Sequence, residues 1–121
     1  QKLNDYDSTV YLVNTGWSGS SATSGSLRID LKLTKHIVNL ITGGSLDFSK
    51  SVFDKFFNLE IPLNVDDLEN DFLVPHYSWN NLEEYFSTGN MLTRLFNNNF
   101  EKFKIQDPDI LAAGPQTDLS A

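Results

Sequence analysis

The chain has 121 residues, no cysteine and a net charge of −7. Disulfides and thiolate chemistry are excluded, and an acidic chain with nine scattered basic residues suits neither nucleic acid nor an anionic membrane surface. A hydrophobic fraction of 40% that includes nine Phe is the composition of one globular domain, or part of one, rather than of a disordered segment. No apolar run approaches the roughly 18 residues of a membrane-spanning helix, and no signal-peptide pattern is present. Gln1 stands first and Met91 is the only methionine, so the expectation is a segment of a longer polypeptide, with no domain boundary inside it.

Residues 1–8 are polar and read as a loop. Thr9 to Val13 is continuously apolar and β-branched, which predicts a strand buried on both faces. Asn14 to Ser26 holds three glycines, five serines and two threonines, too polar and flexible for a regular element. Ile29, Leu31 and Leu33 then alternate with Asp30, Lys32 and Thr34, the period of a half-buried strand. Leu33, Ile37, Leu40 and Ile41 recur at helical spacing. They predict a short helix near 34–42, started at Thr34 or its neighbour and stopped by Gly43-Gly44.

Residues 45–55 suggest a further turn of helix. Phe56 to Ile61 alternates up to Pro62, a third strand, and Asn64 to Asn81 is an acidic connection containing Pro75. A long helix is predicted near 81–103, with an apolar stripe of Leu82, Tyr85, Phe86, Leu92, Leu95, Phe96, Phe100 and Phe103. Gly89, which costs about 1 kcal/mol against Ala, marks a kink or a break there. Residues 105–121 read as a tail. The fold class is α/β.

Arg28 is the first candidate for chemistry. It leaves a small-residue loop beside a buried strand, where ligands of α/β proteins gather. Its fork of donors suits ribose hydroxyls or phosphate, and its plane can stack on a base. The alternative is an ion pair with one of the sixteen carboxylates. Ile29 is either core or a cover for a purine face; Thr34 is either a ligand contact or a helix cap. Gly16, Gly19 and Gly25 do not fit GxGxxG, and no GxxxxGK[ST] loop occurs. His36 and His76 lack partners at metal-ligand spacing, with His36 read as a surface residue. Asp66, Asp67, Glu69 and Asp71 lack the pattern of a calcium loop and read as solvated. Trp17 and Trp79 are expected partly buried, with their indole N–H groups bonded. No catalytic set can be assigned, and no residue of the segment is a metal ligand.

Leu12-Val-Asn-Thr-Gly-Trp17, the glycine-rich loop, Arg28-Ile29 and Thr34-Lys35 resemble, in order, the ATP-dependent phosphoenolpyruvate carboxykinase family. Phe57-Asn-Leu-Glu-Ile-Pro62, Leu92-Thr-Arg-Leu-Phe-Asn-Asn-Asn-Phe-Glu-Lys102 and Ala113-Gly-Pro115 extend the resemblance to about Val10–Pro115. It implies that residues 1–121 are the C-terminal part of a mixed-sheet nucleotide-binding domain. The parent would be a cytoplasmic enzyme of gluconeogenesis that converts oxaloacetate and ATP to phosphoenolpyruvate, ADP and carbon dioxide.

Arg28, Ile29 and Thr34 match family residues that contact the nucleotide. The phosphate loop, the oxaloacetate-binding groups and the ligands of a divalent metal (Mg or Mn) would lie upstream, so the isolated chain is expected to be inactive. Its partners would be the nucleotide, oxaloacetate and the rest of its own polypeptide. Leu27 stands where the family usually has Lys, His76 where it tends to have Arg, and the loop Ser18–Ser26 is longer than the shortest family versions. A non-enzymatic acidic α/β interaction module and an inactive relative of the carboxykinases are the alternatives.

Overall fold

The computed structural model describes residues 8–19, 27–65 and 68–120. In chain order the elements are strands β1 (Trp17–Ser18) and β2 (Leu27–Arg28), helix α1 (Leu31–Thr42), strands β3 (Ser51–Asp54) and β4 (Leu59–Pro62), and helix α2 (Asn70–Leu73). A 3-10 turn at Pro75–Ser78, helix α3 (Leu82–Phe100), a 3-10 turn at Glu101–Phe103 and helix α4 (Pro108–Ala112) complete them. The strands form two antiparallel pairs, β1 with β2 and β3 with β4. This mixture of helices with small antiparallel sheet is the α/β content that the sequence predicts.

Thr9 to Val13 is not a strand. The run is exposed, Val10 at 61% and Leu12 at 74%. Strand structure requires a neighbour to take its backbone groups, and no described strand pairs with this run. The alternation of residues 29–34 also misleads, because the helix already begins at Leu31. Asp30 is its N-cap, with extended backbone (φ −63°, ψ 137°) and a side chain that accepts the Lys32 N–H at 2.8 Å. Leu33 therefore joins Ile37, Leu40 and Ile41 on the half-buried face of one helix. The predicted stop is present: Gly44, at φ +67°, and Ser45 donate to the carbonyls of Ile41 (3.1 Å) and Leu40 (2.9 Å).

Residues 51–54, expected as helix, are instead β3. It pairs Ser51 with Pro62, Val52 with Ile61, Phe53 with Glu60 and Asp54 with Leu59. The third predicted strand thus starts three residues late. Phe56 and Phe57 occupy the turn, which Asn58 closes in the left-handed region at φ 53° and Asp54 braces by accepting the Phe57 N–H at 3.0 Å. That turn delivers Phe56 to the core, where it is 2% exposed. Its ring centroid lies 5.6 Å from that of Tyr85 and 5.7 Å from that of Phe86. Val65, Val74 and Thr93 are the other buried side chains among the described residues. The acidic connection includes α2 and the 3-10 turn; Asp66 and Asp67 lie outside the described residues.

Helix α3 runs unbroken through Gly89. Asn81 caps it, accepting the N–H groups of Glu83 (2.9 Å) and Glu84 (3.2 Å), whose carboxylates favour the helix N-terminus. Glycine is required at position 89 for space: a Cβ there would lie 2.5 Å from the Phe56 ring. The packing face matches the predicted stripe only in part, at Tyr85 and Phe86, which pack on Phe56. Leu92, Leu95, Phe96, Phe100 and Phe103 are exposed, whereas Phe86, Gly89, Asn90, Thr93 and Asn97 face inward.

Two of those inward residues are asparagines, and they bind the end of the chain. Asn90 donates to the Leu119 carbonyl (2.8 Å) and accepts its N–H (3.0 Å). Asn97 donates to the Pro115 carbonyl at 3.1 Å, and Arg94 pairs with Asp118. From the hairpin side, Asn58 donates to the Gly114 carbonyl (2.7 Å), and the Phe56 carbonyl accepts the Gln116 N–H (2.8 Å). Residues 105–121, expected as a tail, therefore contain α4 and a strap laid across α3.

Replacing Gly89 by Ala should destabilise the fold, although Ala is favoured in a helix interior by about 1 kcal/mol. The clash with Phe56 outweighs that gain, and overpacking of this kind costs about 1–3 kcal/mol. A urea denaturation midpoint that rises in the Gly89→Ala variant would contradict the packing described.

Candidate functional site

Arg28, Ile29 and Thr34 belong to one continuous unit, the β1–β2 pair and the first turn of α1. The Asn14 side chain accepts the Gly16 N–H at 2.8 Å and bends the chain into β1. Trp17 then pairs with Arg28 and Ser18 with Leu27. The Ile29 N–H donates to the Gly16 carbonyl at 3.0 Å, extending that contact by one residue. Gly19 leaves β1 at φ +86°, a conformation that suits glycine. Residues Ser20 to Ser26, and with them Gly25 and most of the expected loop, lie outside the described residues.

Arg28 is exposed, and among the described residues no carboxylate pairs with it. Among the described residues its guanidinium donors are not taken up by a structural ion pair. Ile29 is half-buried beside it. Thr34 is half-buried and does not cap its helix, because Asp30 does. The Thr34 hydroxyl donates to the Asp30 carbonyl at 3.3 Å, and its backbone N–H reaches the same carbonyl at 3.1 Å. The hydroxyl oxygen retains acceptor capacity. The unit thus offers a forked cation, an aliphatic surface and an acceptor within seven residues, the set that a sugar, a base edge and an apolar ring face require.

Sequence reasoning missed Asn14 and Asp30, which shape this unit. An Asn two residues before a Gly, and an Asp directly before a helically spaced apolar run, were the available signals. Trp17 is half exposed, while Trp79 packs edge-on to Tyr85 at 5.7 Å. His76 lies in the 3-10 turn, with its ring against those of Tyr77 (4.4 Å) and Tyr85 (5.9 Å). Among the described residues no group of three or more His, Cys, Asp or Glu could hold a metal ion, and no described helix is long and apolar enough to cross a membrane. A shallow depression of about 470 Å³ lies along α3, lined by Ser87, Asn90, Met91, Arg94 and Leu95, away from the β1–β2 unit.

The family model for phosphoenolpyruvate carboxykinase matches residues 1–71, which include the whole β1–β2–α1 unit. The chain belongs to the phosphoenolpyruvate carboxykinase family. A protein of Oceanobacillus iheyensis named phosphoenolpyruvate carboxykinase (ATP) is 36% identical over 115 residues, covering 95% of the chain and 22% of that protein. Proteins of the same name from Caldanaerobacter subterraneus and Candida glabrata are each 38% identical, over 116 and 120 residues, with 96% of the chain and 22% of each relative covered. The chain thus spans about a fifth of the length of these carboxykinases, 22% in each case. Fold class and family membership follow the resemblance read from Leu12–Trp17 and the motifs after it.

Tyr85, at the centre of the aromatic cluster, has its phenol pushed up from 10.0 to about 12, first by burial and then by the charge of Asp54. A raised folded-state value means that the fold holds the neutral phenol. The associated stability is complete below pH 10 and is lost as pH rises towards 12. Alkaline unfolding followed by circular dichroism should therefore shift to higher pH in Tyr85→Phe. An unchanged alkaline midpoint would show that Tyr85 ionisation contributes nothing to it.

Proposed function

We propose that residues 1–121 are the C-terminal part of the nucleotide-binding domain of an ATP-dependent phosphoenolpyruvate carboxykinase, and that the β1–β2–α1 unit is one wall of its adenosine pocket. The observation that carries this reading is the exposed Arg28 guanidinium, without a carboxylate partner among the described residues and next to Ile29 and Thr34 in a family member. The parent converts oxaloacetate and ATP to phosphoenolpyruvate, ADP and carbon dioxide, and does so in the cytoplasm.

In that reaction the role of this segment is binding and orientation. Arg28 donates to ribose oxygens and lays its plane beside the base. Ile29 gives the purine an apolar surface, and Thr34 offers its oxygen to the adenine edge or the ribose. Holding the nucleotide at its far end fixes where its terminal phosphate sits, and such positioning is a large part of catalysis in phosphoryl transfer. Among the described residues no group of three or more His, Cys, Asp or Glu could hold a metal ion; in this reading Mg or Mn is held by other parts of the parent. The groups that hold the triphosphate and oxaloacetate belong there too. The exposed apolar residues of α3 and the run Val10–Val13 face that remainder.

Arg28→Ala in the full-length enzyme should raise the KM for ATP while leaving the KM for oxaloacetate unchanged. Loss of one charged hydrogen-bonding contact is worth on the order of 1–3 kcal/mol. An unaltered KM for ATP in steady-state kinetics would remove Arg28 from the pocket.

A further inference from the structure

The end of β1 rests against the 3-10 turn at Pro75–Ser78. A Cβ built on Gly19 would lie 3.2 Å from the carbonyl oxygen of Ser78, tighter than side chains ordinarily approach a backbone oxygen. That carbonyl has little room to retreat. The Ser78 hydroxyl donates to the Pro75 carbonyl at 2.9 Å, closing the turn on itself. Trp79, the next residue, packs on Tyr85 at 5.7 Å, and His76 of the same turn packs on Tyr85 at 5.9 Å. Tyr85 is in turn fixed against Phe56 and Phe86. A side chain at position 19 therefore moves β1, not the turn.

Displacement of β1 does not stay local. β1 carries β2 through the pairing of Trp17 with Arg28, and Gly16 holds the N–H of Ile29. We infer that Gly19 is a positioning residue for the nucleotide: lacking a Cβ, it seats the β1–β2 pair on the Ser78 carbonyl, and that seat sets where Arg28 presents its guanidinium. This inference rests on the reading of the β1–β2–α1 unit as a wall of the adenosine pocket. It adds the turn Pro75–Ser78 as the support behind that wall.

The test is steady-state kinetics of three variants of the full-length enzyme beside Arg28→Ala. Gly19→Ala should raise the KM for ATP about threefold to tenfold, as a displacement of a few tenths of an ångström does to a binding contact. Its kcat and its KM for oxaloacetate should stay unchanged. Gly44→Ala is the control, since Gly44 shares the positive φ (+67°) but has nothing within 4 Å of an added Cβ; its KM for ATP should not move. Gly19→Asn covers the case in which Gly19→Ala fails to fold. Asn tolerates positive φ, as Asn58 and Asn64 do in this chain, while keeping the crowded Cβ, so it too should raise the KM for ATP. The inference is overturned if the Gly19 variants bind ATP normally, or if Gly44→Ala matches them. Normal behaviour at Gly19 with a raised KM in Arg28→Ala would leave the pocket assignment intact, whereas normal behaviour in both would remove both.

Discussion

The ring of Phe56 pressed against the backbone of α3 at Gly89 is the contact on which the other packing of this segment depends. It requires a glycine inside a long helix, where local propensity disfavours one, and a four-residue turn that projects a phenylalanine from the tip of a hairpin. Once the ring is in place, Tyr85 and Phe86 close on it from the same helix. The Phe56 carbonyl then receives the strap through Gln116. Helix, hairpin and chain end thus meet at one residue.

The same cluster reaches the candidate site through a short physical path. Tyr85 holds Trp79 and His76, these flank and form the 3-10 turn, and the Ser78 carbonyl lies beside Gly19 at the end of β1. The candidate unit itself is built locally. Asn14 shapes the way in, two strand pairings hold Arg28, and Asp30 starts the helix that bears Thr34. A packed cluster behind a small, locally determined unit suits ligand recognition, since the unit can present Arg28 to solvent without carrying the fold.

The parts legible in the sequence are those whose cause is local. The stop of α1 at Gly43-Gly44 and the start of α3 at Asn81 follow from capping chemistry confined to a few residues. The adjacency of Arg28, Ile29 and Thr34 is legible because they lie within seven positions of each other. The residues at 29–34 misled because Asp30 can precede a strand or cap a helix, and Leu33 satisfies both periods until its side-chain partners are known. Gly89 was read by its propensity when its cause is a ring that lies 33 positions earlier in the sequence. The face of α3 was read as an apolar stripe, yet Asn90 and Asn97 point inward because the strap offers them backbone groups. Val10 to Val13 has the composition of an interior strand and yet lies exposed, with no described strand pairing with it.

In the proposed pocket this segment touches the adenosine of ATP. Photolabelling of the full-length carboxykinase with 8-azido-ATP, followed by mapping of the labelled peptides, reads out that contact. The azide sits on the purine, so label that ATP competes away should appear in the peptide spanning Arg28 to Thr34. ATP-sensitive label confined to peptides outside residues 1–121 would contradict the claim.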